Sequence, residues 1–475
     1  MTEPFPSLLI QSHALVPQGA FAEAQAQFLK PDQDSVAALD ELLHKHNIGV
    51  VAHFYMDVEL QGILSSCKWK NIHIADSLLM ADKAVKMAED GVDSIIVLGV
   101  DFMSENVRAV LDAAGHNKIP VYRVSTKEIG CSLAESAEAK AYGAWLQKAS
   151  QTENALHVIY INTSLQVKAH SHLAVPTITC TSSNVLQTIL QAAAEIPNLN
   201  IWYGPDTYMG ANLADMFRQF SLLSDAEIAA IHPSHNRESI EKLRNHFHFF
   251  KQGNCFVHHM FGDDVVAKVR QQYPDAFHTA HLEVPGEMFA LAVEAQQKGR
   301  GVVGSTSNIL NFIGQQVEAQ ANLSKGARLR FVLGTEAGMI TSIVRKVQSF
   351  LQQKNRSDIE VEIIFPVATE AVATDNEFGI VPGVASGEGC STAGGCATCP
   401  YMKMNSLDAL FDVVEKIGDG EHFGLLPFHP RQYTEKIGGR TAADLGGEPI
   451  LFMRHFQRQK ELPPALVQLV TKSMN

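Results

Sequence analysis

The same succession of signals occurs three times along the chain at nearly constant spacing, and that regularity restricts the fold more than any single motif does. In each round an extended stretch ends in a polar side chain, a Ser-headed helical pattern follows, and a later apolar run ends at glycine. The run Ile48-Gly-Val-Val-Ala delivers His53, Leu156-His-Val-Ile delivers Tyr160, and a third short stretch carries His281. From these residues to Ser77, Ser182 and Ser305 the intervals are 24, 22 and 24; to Gly99, Gly204 and Gly334 they are 46, 44 and 53. Two helix openings nearly match in letters, Thr181-Ser-Ser-Asn-Val-Leu and Ser305-Thr-Ser-Asn-Ile-Leu. Strands alternating with helices predict an α/β fold with small parallel sheets. The repeat predicts three pseudo-threefold-related α/β/α sandwich units whose strand C-termini face a common centre, where such folds bind ligands. The boundaries implied are an extension over 1–35, units over 36–145, 146–260 and 261–399, and a tail over 400–475 that packs back onto the first unit.

Composition excludes several partners. A net charge of -13 over 475 residues leaves no basic field for nucleic acid or an anionic membrane surface. No apolar run reaches the roughly 18 residues of a membrane span, and residues 1–25 lack a secretory pattern, so the expectation is a cytoplasmic protein with small-molecule partners. Seven cysteines favour reduced thiols or metal ligands over a disulfide framework.

Three of the seven lie in one Gly- and Ser/Thr-rich loop, Cys390, Cys396 and Cys399. Cys-x-x-Cys-Pro suits a redox pair or half of a zinc site, but no second pair exists to complete a zinc ribbon. Cys67 and Cys180 read as buried small hydrophobes. Cys131 and Cys255 each close a repeat, so one thiol per unit could meet at the centre. Three thiolates underfill a tetrahedral site but suit a 4Fe-4S cluster with three Cys ligands and one open iron, a Lewis acid for a hydroxyl or carboxylate. Around it the strand ends would present His53, Tyr55, Tyr160, Asn162, His258, His281 and Glu283 for hydrogen bonding and proton transfer. Helix-heading Ser77, Ser182 and Ser305, with Thr306, would receive anionic groups. A lone Ser at such a position is more often a helix cap, and the argument rests on three together. The His-rich segment 231–248 reads as an exposed polar insertion, because its histidines lack one tight ligand spacing.

The residues resemble those of the quinolinate synthases. The matching segments are His53-Phe-Tyr55, Ala75-Asp-Ser77, Gly99-Val-Asp-Phe-Met-Ser-Glu-Asn106, Tyr160-Ile-Asn-Thr-Ser164 with Lys168-Ala169, Thr181-Ser-Ser-Asn184, Cys255-Phe-Val-His258, Gly304-Ser-Thr306, Gly334-Thr-Glu336 and Cys396-Ala-Thr-Cys399-Pro-Tyr-Met-Lys-Met-Asn405. The resemblance implies three α/β/α units around an iron-sulfur cluster. It also implies condensation of iminoaspartate with dihydroxyacetone phosphate to quinolinate, with loss of phosphate and water, in NAD biosynthesis, and a functional link to an L-aspartate oxidase that makes the imine. Carried over, it implies Cys131, Cys255 and Cys399 as cluster ligands and Tyr55, His258 and Glu283 as the proton-transfer set. His53, Ser77, Tyr160, Asn162, Ser182, His281, Ser305 and Thr306 become substrate contacts. Where the family usually reads His-Pro-Glu-Cys, this chain has His281-Leu282-Glu283-Val284. The rival readings are another open-iron hydro-lyase and a non-catalytic iron-sulfur sensor, for which the His, Tyr and Glu set would be superfluous.

Overall fold

The computed structural model describes residues 4–27, 29–323, 325–367, 390–391, 395–396 and 399–472. A hairpin of β1 (Ser7–Ile10) and β2 (Leu15–Gln18) precedes the repeats. The first repeat contributes β3 (Ile48–His53), β4 (Ile72–Ala75), β5 (Ser94–Leu98) and β6 (Val121–Tyr122). The second contributes β7 (Ala155–Tyr160), β8 (Thr177–Cys180), β9 (Asn200–Gly204) and β10 (Phe247–Phe249). The third contributes β11 (Phe277–His281), β12 (Gly301–Gly304), β13 (Ala327–Gly334) and β14 (Ile359–Ile364).

Each repeat builds its own parallel sheet with the second strand outermost, then the first, third and fourth: β4-β3-β5-β6, β8-β7-β9-β10 and β12-β11-β13-β14. The β1–β2 hairpin extends the third sheet antiparallel to β14. Strands covered on both faces are apolar throughout rather than alternating, and every residue of β3, β5 and β7 is buried accordingly. An α/β fold with several small parallel sheets is therefore observed. Two repeat glycines have a steric reason. A Cβ on Gly334 would lie 2.2 Å from the Thr279 carbonyl oxygen of the neighbouring strand, and one on Gly204 would lie 2.7 Å from the Tyr142 hydroxyl.

Register corrects the letter matches by one residue in places. The ends of the first strands pair as His53 with Ala75, Tyr160 with Cys180 and His281 with Gly304. Two residues beyond those partners stand Ser77, Ser182 and Thr306, so the equivalent hydroxyls are these three, and Ser305 corresponds instead to Asp76 and Thr181. The glycines shift likewise, because Ala52 faces Leu98 where Ile159 and Ala280 face Gly204 and Gly334.

The chain divides into two compact units that cut across the repeats. One comprises Met1–Gly99, Ile119–Ile129 and Phe256–His429; the other comprises Val100–Lys118, Gly130–Cys255 and Pro430–Asn475. In the second, the long helix Ala442–Gln459 packs on the helix Leu165–Ala174 and on β8. Gly446 permits this approach, since a Cβ there would lie 2.1 Å from the Leu165 carbonyl oxygen. The His-rich segment exposes Pro233, Ser234, Asn236, Arg237 and Glu238 as an insertion would, but not all of its histidines. His232 and His235 are buried, with His232 Nε2 2.9 Å from Gln191 Oε1 and His235 Nε2 2.8 Å from the Leu190 carbonyl oxygen.

Candidate active site

Within the first unit the ends of β3 and β11 bring five expected residues together. His53 closes β3 and is buried, and its Nδ1 accepts the Tyr55 N–H at 3.2 Å. Burial holds the imidazole neutral by pulling its pKa down to about 3; nearby Glu283 opposes that shift and His281 adds to it. A neutral ring accepting at Nδ1 carries its proton on Nε2. Tyr55 stands edge-on to His53, ring centroids 4.8 Å apart, and its hydroxyl lies 3.1 Å from Thr335 Oγ1. The turn that presents it is held by Gln61, whose side chain is within 2.7–2.9 Å of the carbonyl oxygens of Phe54, Met56 and Gly338.

His281 closes β11, and its Nδ1 accepts the Glu283 N–H at 3.4 Å. Burial lowers its pKa to about 4, with Glu283 opposing and His258 reinforcing. The His258 ring stacks on it, and His258 Nδ1 lies 3.1 Å from Glu283 Oε2. That approach is not aligned as a hydrogen bond, so both buried ring nitrogens of His258 keep their capacity for a ligand or a proton. Leu282 and Val284, where the family usually has Pro and Cys, are both buried and leave His281 and Glu283 facing each other.

The described side chains able to hold a metal ion are Cys255, His258 and Glu283, whose ligand atoms all lie within 4.8 Å of one another. This overturns the expected 4Fe-4S cluster with three Cys ligands and one open iron. The group contains one thiol, and its other donors are an imidazole and a carboxylate. The cause is local: Cys255 immediately precedes the helical turn Phe256–His259, which swings His258 next to it, and the strand-end loop supplies Glu283. Cys131 is instead near Asn162, whose Nδ2 lies 3.8 Å from its Sγ. Cys399 contributes its backbone N–H to Glu336 Oε1 at 3.0 Å. The side chains of Cys390 and Cys396 lie outside the described residues.

The helix heads divide the expected hydroxyls. Asp76, not Ser77, caps the helix Ser77–Glu89 by accepting the N–H groups of Leu78 and Leu79, and Ser307 Oγ donates to its other oxygen at 3.1 Å. Ser305 caps the helix Thr306–Ala321 in a reciprocal box with Asn308, which commits its hydroxyl. Asn184 Oδ1 accepts the Thr181 N–H at 2.8 Å, and Asn308 Oδ1 accepts the Ser305 N–H at 2.9 Å. The near-identical letters therefore encode the same turn. Ser182 precedes the Asn184 cap and Thr306 opens its helix.

In the second unit Tyr160 ends β7 and is buried, and Asn162 follows in the turn with its Oδ1 buried and without a hydrogen-bond partner. In the first unit three further residues, to which the sequence reading gave no individual role, belong with the strand ends. Thr335 meets Tyr55. Glu336 is buried, which drives its carboxyl up to about 8 against the opposing Cys399 N–H and Lys403. Asn405 is fully buried, accepts the Gly99 N–H and returns its amide to the Gly99 and Met402 carbonyl oxygens. Their signal was position: Thr335-Glu336 follows a strand-ending glycine and Asn405 closes the Cys-Pro segment.

A family model described as "Quinolinate synthetase A protein" matches residues 37–421. The chain is 54% identical to the chloroplastic quinolinate synthase of Oryza sativa subsp. japonica over 98% of its own length and 69% of the relative's. It is 52% identical to that of Arabidopsis thaliana, over 98% and 67%, and 26% identical to the quinolinate synthase of Prochlorococcus marinus, over 79% and 81%. The chain thus spans about two thirds of the plant relatives' length. Their chloroplastic location overturns the expected cytoplasmic one, which rested on the lack of a secretory pattern in residues 1–25 and of a membrane-spanning run. With this coverage, and with the His, Tyr and Glu set assembled at the strand ends, the chain belongs to the quinolinate synthetase A family of enzymes.

Proposed function

We propose that the chain condenses iminoaspartate with dihydroxyacetone phosphate to quinolinate, with release of phosphate and water. The observation that carries this reading is the assembly of buried His53, His258, His281 and Glu283 with half-buried Tyr55. Forming a pyridine ring from these substrates requires successive proton removals and loss of oxygen leaving groups, work for acids and bases shielded from bulk water. Tyr55, His258 and Glu283 transfer protons. Neutral His53 and His281 donate to substrate oxygens without bringing a cation into the pocket. Ser77, Ser182 and Thr306, equivalent by register, offer one hydroxyl per repeat, and Tyr160 and Asn162 add donors and an acceptor. Ser305 contributes through the helix start it caps. The matched intervals and identical strand orders support a pseudo-threefold relation of the three repeats. Supply of the imine by an L-aspartate oxidase, and a plastid location like that of the plant relatives, complete the reading.

The test is direct. Purified protein, given iminoaspartate generated in place and dihydroxyacetone phosphate, should form quinolinate and inorganic phosphate in equal amounts. Phosphate release without quinolinate would sink the proposal.

A further inference from the structure

The turn that carries Asn162 is held from beneath by a buried lysine. Lys168 lies near the start of the helix Leu165–Ala174 and is 0% exposed. Its Nζ donates to the carbonyl oxygens of Ile161, at 3.0 Å, and Thr163, the two residues flanking Asn162. Asn106 Nδ2 reaches the Ile161 oxygen as well, at 3.3 Å, and Thr163 Oγ1 donates to the Tyr160 carbonyl oxygen at 3.1 Å. The carbonyls of residues 160, 161 and 163 are therefore engaged inside the protein. Asn162 projects from this clamped turn, its Nδ2 toward Cys131 and its Oδ1 buried without a partner.

A lysine here is unfavourable on two counts. Full burial costs the ammonium its hydration, and a cation near a helix N-terminus opposes the helix dipole. An apolar side chain of equal length would avoid both. Burial lowers the lysine pKa, and Glu105 opposes that shift. The Glu105 carboxylate is itself fixed by the Leu165 N–H at 3.1 Å and the Tyr433 hydroxyl at 2.7 Å. Two ionisable groups that burial penalises are thus retained together behind one turn, and what the lysine accomplishes there is to hold the two carbonyls that flank Asn162.

We propose that Lys168 is a positioning residue for Asn162: by holding the Ile161 and Thr163 carbonyls it fixes the turn that presents the Asn162 amide, with its free acceptor, to substrate. The proposal rests on the reading of Asn162 as a substrate contact.

A kinetic cycle tests it with Lys168→Met, Asn162→Ala and the double variant. Each single change should lower kcat/KM by on the order of 10²-fold, the cost of a misplaced contact, and the double variant should be no worse than Asn162→Ala. Hydrogen exchange of the peptide spanning 160–164 should quicken in Lys168→Met while β9 stays protected. If Lys168→Met does not fold, Asn106→Ala, which removes only the second donor to Ile161, takes its place in the cycle with a smaller loss in the same direction. Multiplying losses, or a fully active clamp variant beside an impaired Asn162→Ala, would overturn the positioning role alone. Undiminished kcat/KM in Asn162→Ala would defeat the reading of Asn162 itself, and this role with it.

Discussion

The rings of His258 and His281 lie face to face, with centroids 4.9 Å apart and planes within 6° of parallel. Two imidazolium cations could not share that spacing away from water without strong repulsion. Glu283 reaches toward both rings, 3.1 Å from His258 Nδ1 and 3.7 Å from His281 Nδ1. The two rings and the carboxylate therefore form one packed unit, in which burial keeps His281 neutral.

Removing the carboxylate should uncouple that unit. Glu283→Gln keeps the shape and removes the carboxylate 3.1 Å from His258 Nδ1, so kcat should fall by about 10²- to 10⁴-fold, the usual contribution of a positioned acid or base. Steady-state quinolinate formation measures this, with unchanged far-ultraviolet circular dichroism as the control for folding.

Tyr55→Phe deletes one hydroxyl at the end of β3 and should cost a comparable factor in kcat. Thr335→Val, which leaves the phenol in place but removes its partner at 3.1 Å, should cost less. Equal losses would place the function in the pair rather than in Tyr55.

Metal content should follow the donor group. Cys255→Ala, His258→Ala and Glu283→Gln should each reduce tightly bound metal per chain after dialysis, measured by plasma mass spectrometry. Cys67→Ala should not, because Cys67 lies outside that group and burial, with Asp40 nearby, pushes its thiol up to about 12.

Two buried groups should impose opposite pH dependences on stability. His157, hydrogen-bonded to Tyr142 and Thr177, has its pKa lowered by burial to about 3. The unfolded chain binds its proton first, so its contribution is complete above about pH 6.5 and declines toward pH 3, by up to about 1.4 kcal/mol per pH unit. Replacing it with Gln should flatten the acid limb of the melting-temperature profile. Glu336 is the reverse: with its folded pKa raised to about 8, its contribution is present below about pH 4.5 and lost as pH rises toward 8. Glu336→Gln should therefore melt higher than the parent at pH 8 and little differently at pH 4.5.

The sequence by itself determined where strands end and which polar side chains stand there. His53, Tyr160 and His281 each close a strand because an apolar run must stop where its backbone leaves the sheet, a local signal readable from letters and spacing. The alternation of strand and helix signals also announced an α/β fold with several small parallel sheets, whereas their strand order came from the structure. Only the tertiary structure decided which donors meet. A one-residue offset in register makes Thr306, rather than Ser305, the counterpart of Ser77 and Ser182, and a single helical turn after Cys255 puts His258 and Glu283 beside that thiol where three cysteines had been expected. Interval counting cannot resolve such outcomes, because ligand geometry depends on positions within an ångström or two, and these are fixed by packing, as in the fit of Gly334 against Thr279 and the clamp of Lys168 beneath Asn162.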